Sequence, residues 1–261
     1  MVWLGFRVAR GERATHKESI RQLHIEKLKG IERSILKVVQ RRERDLTALV
    51  DSLSSEPAEL KRVVRDNPVL SQVFILSRDG KLVHPALEGN LSRPEEEFLT
   101  RSGQVWKDQA VFFRPGKESP GQAAVESAPT GTANDAGWYT WSWGAGIHFI
   151  FWHRGADGRV IGFELSRFRL IADIISELPD TDPGGSSTML AWLGARGGVL
   201  YQWGDYQPKP DQQPLVSMAL QPPLSAWRLA VFPSGADYES GLGAGMLFNL
   251  IAALLVFGIA L

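Results

Sequence analysis

The chain has no cysteine among its 261 residues. That excludes disulfides, thiol nucleophiles and thiolate metal ligands, and it suits any redox compartment. Charge of one sign is equally lacking: Lys plus Arg and Asp plus Glu each number 29. Global electrostatics therefore makes no case for nucleic-acid binding. Proline is absent from Thr15 to Leu53, and that stretch holds one glycine, Gly30. No G-x-S-x-G, H-E-x-x-H or P-loop sequence occurs, so no catalytic residue is assigned and no cofactor is expected. His148 and His153 stand five apart, on opposite faces of a regular strand, and His84 adds no recognisable ligand spacing, so no metal ligand is assigned.

What the chain does contain is tryptophan, nine residues, most of them between Trp106 and Trp227. Charge is also uneven along the chain, with 15 basic and 9 acidic residues from Met1 to Arg65. From Leu242 to Leu261 the sequence LGAGMLFNLIAALLVFGIAL carries no charge and one polar side chain, Asn249. Twenty helical residues rise about 30 Å, the thickness of a bilayer's hydrocarbon core. The stretch predicts a transmembrane helix over 242–261. No basic stop-transfer cluster follows it, so an output domain is expected downstream. MVWLGF at the start is too short to span, and residues 1–14 fit either the remnant and flank of a first membrane helix or a cytoplasmic N-terminus.

Leu28, Ile31, Ile35, Val38, Leu46, Leu49 and Leu53 step by threes and fours, apart from a gap at Arg42. This predicts a long helix with one apolar stripe, followed after Ser54, Ser55 and Pro57 by a short helix, together filling 15–65. A stripe of that length either pairs with a second copy, giving a homodimer, or lies along its own domain. VFILSRDGKLVHP (Val73 to Pro85) then predicts a hairpin around Arg78-Asp79-Gly80. The same style recurs at Ile147 to Ser166, with Asp157-Gly158 at the turn, and at Met189 to Gly204, with Gly197-Gly198. Glu95-Glu96-Glu97 reads as the solvated start of a short helix.

These units imply an α+β chain with two antiparallel sheets. The first sheet domain is placed at 66–180, with a mobile loop over 114–137 that is rich in Pro, Gly, Ser, Ala and Thr. It closes with an amphipathic helix from Arg167 to Pro179. A smaller sheet domain follows at 186–235, with strands near Met189–Leu193, Val199–Trp203, Leu215–Leu220 and Trp227–Phe232.

This order resembles the double Cache (PAS-like) extracytoplasmic regions of bacterial sensor histidine kinases, chemoreceptors and diguanylate cyclases. The residues that carry the likeness are VFILSRDGKLVHP, Trp138-Tyr139 and DGRVIGFELSRFRLIADI. LYQWG and PLSAWRLAVFPSG further resemble the membrane-proximal part of some sensor kinases. The resemblance implies two PAS-like domains, the one at 66–180 distal and the one at 186–235 proximal to the membrane. It implies an inner-membrane receptor with residues 15–240 periplasmic, sensing a small molecule or a periplasmic partner. Any kinase domain would follow residue 261.

In family members that bind amino acids, an Arg two positions before Trp-Tyr grips the ligand carboxylate. Here that position is Ala136, while the family's acidic residue corresponds to Glu164. A neutral, cationic or aromatic ligand, or no ligand at all, is therefore expected. Strand alternation puts Tyr139, Trp141 and Trp143 on one face. Trp138, Tyr139, Trp141, Trp143 and Glu164 are the candidate ligand-binding residues, an aromatic wall with a carboxylate. The plainer alternative is that the rings pack the sheet against the closing helix. Competing functions are a diguanylate-cyclase or chemoreceptor sensor region, a tail-anchored scaffold using the basic first third, and a tethered carbohydrate binder or hydrolase.

Overall fold

The computed structural model describes residues 2–106, 110–113, 135–144, 146–179 and 188–234, with side chains from Lys17 onward. The chain is α+β. Helix α1 runs unbroken from Val2 to Ser52. α2 (Pro57–Asp66) follows, with Pro57 at its first position, where the missing N–H costs nothing. Among the described residues no helix is long and apolar enough to cross a membrane. Residues 242–261 lie outside them, as do 114–134 of the expected mobile loop.

The hairpin β1 (Leu70–Leu76) and β2 (Leu82–His84) leads to α3 (Arg93–Arg101) and the short α4 (Ala110–Phe113). Three strands follow, β3 (Ala136–Trp143), β4 (Gly146–Arg154) and β5 (Val160–Leu165), and then α5 (Arg167–Glu177). Ala136 and Gly137, expected in the loop, therefore already belong to a strand. The second sheet contains β6 (Thr188–Leu193), β7 (Val199–Trp203), β8 (Val216–Ala219) and β9 (Arg228–Pro233).

The first sheet has five strands in the order β2-β1-β5-β4-β3, and the second has four in the order β7-β6-β9-β8. Every pairing is antiparallel. Such sheets fit a PAS-like sensor fold. The three hairpins expected from sequence share one turn: Gly80, Gly158 and Gly197 donate N–H bonds of 2.9 Å to Ser77, Gly155 and Gly194. Their φ angles of 84°, 81° and 79° are left-handed, which explains glycine at each.

The chain divides into two compact units. One comprises the described residues of Met1–Glu32, Pro179–Ala219 and Trp227–Leu261, and holds the four-stranded sheet. Its core includes Met189, Leu190, Trp192 and Leu229, with the Trp192 and Trp227 rings edge to face at 5.1 Å. The other comprises Arg33–Leu178 and Leu220–Ala226, and holds the five-stranded sheet. Leu28, Ile31, Ile35, Val38 and Leu46 of the helical stripe are all buried by the chain itself.

In the five-stranded sheet one face carries Phe74, Leu76, Ile150, Trp152, Val160 and Trp141, packed with Phe98, Val105 and Phe112. The aromatic strand thus packs on the α3–α4 side of the sheet, not against the closing helix as the plainer sequence reading had it. Gly162 sits where the ring of Phe74 crosses the sheet, and a Cβ there would overlap that ring. α5 instead contacts β4, and within this unit it is tied to α1 by Arg42–Asp173 at 2.6 Å and Arg41–Glu177 at 2.7 Å.

Glu95 does not begin its helix in solvent. Its side chain is buried, accepts from the Ser92 backbone N–H at 2.7 Å and hydroxyl at 2.6 Å, and lies 3.3 Å from Lys61. This is a capping box closed against α2. Burial pushes the Glu95 carboxyl pKa up, but the Ser92 bonds and Lys61 outweigh it and hold the group below its ordinary range. His84 stands 4.0 Å away, and burial lowers its pKa.

A buried charged site on the five-stranded sheet

Strand register builds the site. β3 pairs with β4 so that Trp141 opposes His148 and Trp143 opposes Gly146. β4 pairs with β5 so that Ile150 opposes Glu164, and β1 places Gln72 opposite the same glutamate. Side chains alternate along a strand, so Trp141, His148 and Glu164 reach the same face as the core cluster.

Glu164 is the centre. Its side chain is 1% exposed and receives a fork from Arg101, Nε at 2.8 Å and Nη2 at 2.5 Å. His148 Nδ1 lies 3.1 Å from Oε1, the oxygen that also accepts from Arg101 Nε. An ionised carboxylate only accepts, so Nδ1 carries the proton that is donated. Burial pushes the Glu164 pKa up, but hydrogen bonds and charge from Arg101 and His148 outweigh it and hold the carboxyl below its ordinary range. Aromatic rings wall the group. Trp141 stacks on His148 at 5.0 Å and donates from Nε1 to the Arg101 carbonyl at 3.1 Å. The Arg101 guanidinium also lies 5.6 Å from the Phe98 ring.

The five residues singled out from sequence do not all meet. Glu164 and Trp141 join through His148, and Tyr139 stands next to Trp141 at 6.1 Å. Trp143 lies at the end of the same strand, 43% exposed. Trp138 is on the opposite face, buried against Phe151 at 5.3 Å, because a one-residue step reverses the side chain. Sequence reasoning missed Arg101 and set His148 aside. Pairing β3 with β4 about the Gly144 turn would have brought His148 to Trp141. No local signal marks Arg101, which closes a helix more than sixty residues before its partner. One carboxylate and one imidazole are too few to hold a metal, and among the described residues no group of three or more such ligands converges.

No protein-family model matches the sequence, and no curated protein matches it. Among solved structures, the chain is similar to the extracellular domain of rpHK1S-Z16, a protein assigned as a histidine kinase. Sequence identity is 13% with a TM-score of 0.39, covering 84% of this chain and 97% of the other. A superposition at that score fixes neither family nor function.

Proposed function

We propose that this chain is the extracytoplasmic sensing region of a membrane receptor, and that the receptor is a two-component sensor histidine kinase. The observation that carries the reading is the buried Arg101–Glu164–His148 group on one face of a PAS-like sheet. Burying a charged pair there gains little over an apolar core of equal volume, so stability alone gives no reason to keep it. A recognition site gives one, since a few placed polar groups in an apolar surround fix orientation and specificity. Local sequence adds the anchor: residues 242–261 are apolar for the length of a bilayer.

Two helices touch the site's surroundings in a way that suits signalling. α3 delivers Arg101, and α5 follows Glu164 by two residues and is tied to α1 by two ion pairs. A ligand with different affinity for two arrangements of α3 would shift their populations. Topology tests the receptor reading. An alkaline phosphatase fused after residue 120 of the full chain, expressed in a Gram-negative host, is expected to be active. An inactive phosphatase, with an active cytoplasmic reporter at the same position, would overturn it. The kinase reading is tested by the frame beyond residue 261: a dimerisation-helix histidine and an ATP-binding domain are expected there.

A further inference from the structure

Glu164 is buried behind its partners: its side chain is 1% exposed, against 19% for Arg101 and 25% for His148. A ligand approaching the group therefore meets Arg101 and His148 before it meets the carboxylate. The Arg101 fork uses Nε and one Nη2 hydrogen, and a guanidinium has five N–H donors, so donors remain on its outer edge.

A second guanidinium stands on the same face. A Cβ at Gly146 would lie 2.7 Å from Arg167 Nη1, so the Arg167 head fills the space above Gly146. Gly146 precedes His148 by two residues, and strand alternation points both positions to one side. The step along the strand is about 7 Å, so Arg167 covers the position next to the one from which His148 reaches the Glu164–Arg101 pair. Among the described residues Arg167 has no carboxylate partner, while Glu164 is already shared, so this end of the face carries net positive charge. Apolar rings border it. Trp143, directly opposite Gly146, is 43% exposed, and Phe168, under the Arg167 guanidinium at 4.9 Å, is 74% exposed.

We propose that this end of the five-stranded sheet binds a small aromatic carboxylate. Its oxyanion accepts hydrogen bonds from Arg167 and Arg101, and its ring lies against Trp143. Glu164 is a positioning residue that holds Arg101 and His148, and it does not itself contact the ligand. This reverses the expectation of a cationic ligand at the glutamate, and it rests on the receptor reading above for its biological role.

The test is calorimetric titration of the full chain in detergent with benzoate, nicotinate and benzylamine. Benzoate or nicotinate is expected to bind and benzylamine to fail. Arg167→Gln is expected to weaken the carboxylate roughly tenfold, the loss of a charge-assisted hydrogen bond. Arg101→Met with Glu164→Leu removes the buried pair together, so the fold survives and binding is lost. Arg93→Gln, on a solvent-facing ion pair of α3, is a control expected to bind as the parent does. Preference for benzylamine would overturn the anion assignment and leave the sensor reading standing. A folded chain that binds neither carboxylate would overturn the site, as would unchanged benzoate affinity in both arginine variants. The phosphatase topology is read independently of all these outcomes.

Discussion

Hairpins β1–β2 and β6–β7 turn through the same bonds, yet the sheets they begin use their buried faces differently. In the four-stranded sheet the strands bury Met189, Leu190, Ala191, Trp192, Leu229 and Val231, and their one buried polar side chain among the described residues is Thr188. In the five-stranded sheet a more aromatic core is interrupted by Gln72 and Glu164, with Arg101 and His148 brought to it. Similar hairpins therefore do not dictate similar interiors. An apolar face is held by area removed from water, roughly 25 cal/mol per Å². A charged one holds only while every partner stays in place.

That contrast can be broken from both sides. Trp192→Ala should destabilise the four-stranded sheet by about 3–5 kcal/mol, through lost burial and the cavity left behind. Arg101→Ala should destabilise the five-stranded sheet by a similar ~3–5 kcal/mol, but for another reason: it leaves Glu164 buried and unpaired. Scanning calorimetry of both variants measures the two losses. The distinguishing measurement is Arg101→Met with Glu164→Leu, expected to unfold within about 1 kcal/mol of the parent. If the double change costs as much as Arg101→Ala, the charges are structural and the difference between the sheets is one of packing alone.

Gly162→Ala comes next, at about 1–3 kcal/mol, because its methyl group would overlap the Phe74 ring and force it aside. Chemical denaturation reads this as a lower midpoint with an unchanged slope.

Acid then separates the charged sheet from the apolar one. The folded Glu164 carboxyl titrates below its ordinary value of 4.5, so its stabilisation is complete above that pH and is lost as pH falls through the folded value. The stability gap between the parent and Glu164→Gln should accordingly narrow below pH 4.5. A gap that stays constant under acid titration would show that the carboxylate is not held ionised by its partners. The smallest effect is expected from Arg42→Gln. Its pair with Asp173 is about a quarter exposed on each side, and such pairs contribute roughly 0.5–1 kcal/mol. A larger loss by denaturation would mean that α1 and α5 are joined more firmly than their ion pairs explain.

Element types were largely legible along the chain. The stripe from Leu28 to Leu53 announced α1, and the three glycine turns announced three hairpins. The acidic run Glu95-Glu96-Glu97 announced α3. The helix start at Val2 was less legible, since MVWLGF invites a membrane reading and helical propensity alone does not set where a helix begins. Of the site, Glu164 was singled out through the family resemblance and Trp141 through the aromatic run. Trp138 was a candidate as part of the Trp138-Tyr139 likeness, and alternation puts it on the face opposite Tyr139. Glu95 looked solvated for a related reason: a triple acidic run has the same composition whether its first member faces water or Ser92 and Lys61.

What the sequence determined by itself is what depends on neighbours a few residues apart: periodicity, turn chemistry and the charge-free run over 242–261. What only the tertiary structure decided is which charges meet. Arg101 reaches Glu164 across sixty-three positions, and Arg167 covers Gly146 across two strands and a turn. Such pairings are set by sheet order and helix placement. No local pattern encodes them, because the low-dielectric interior that gives them their strength exists only after the chain has closed around it.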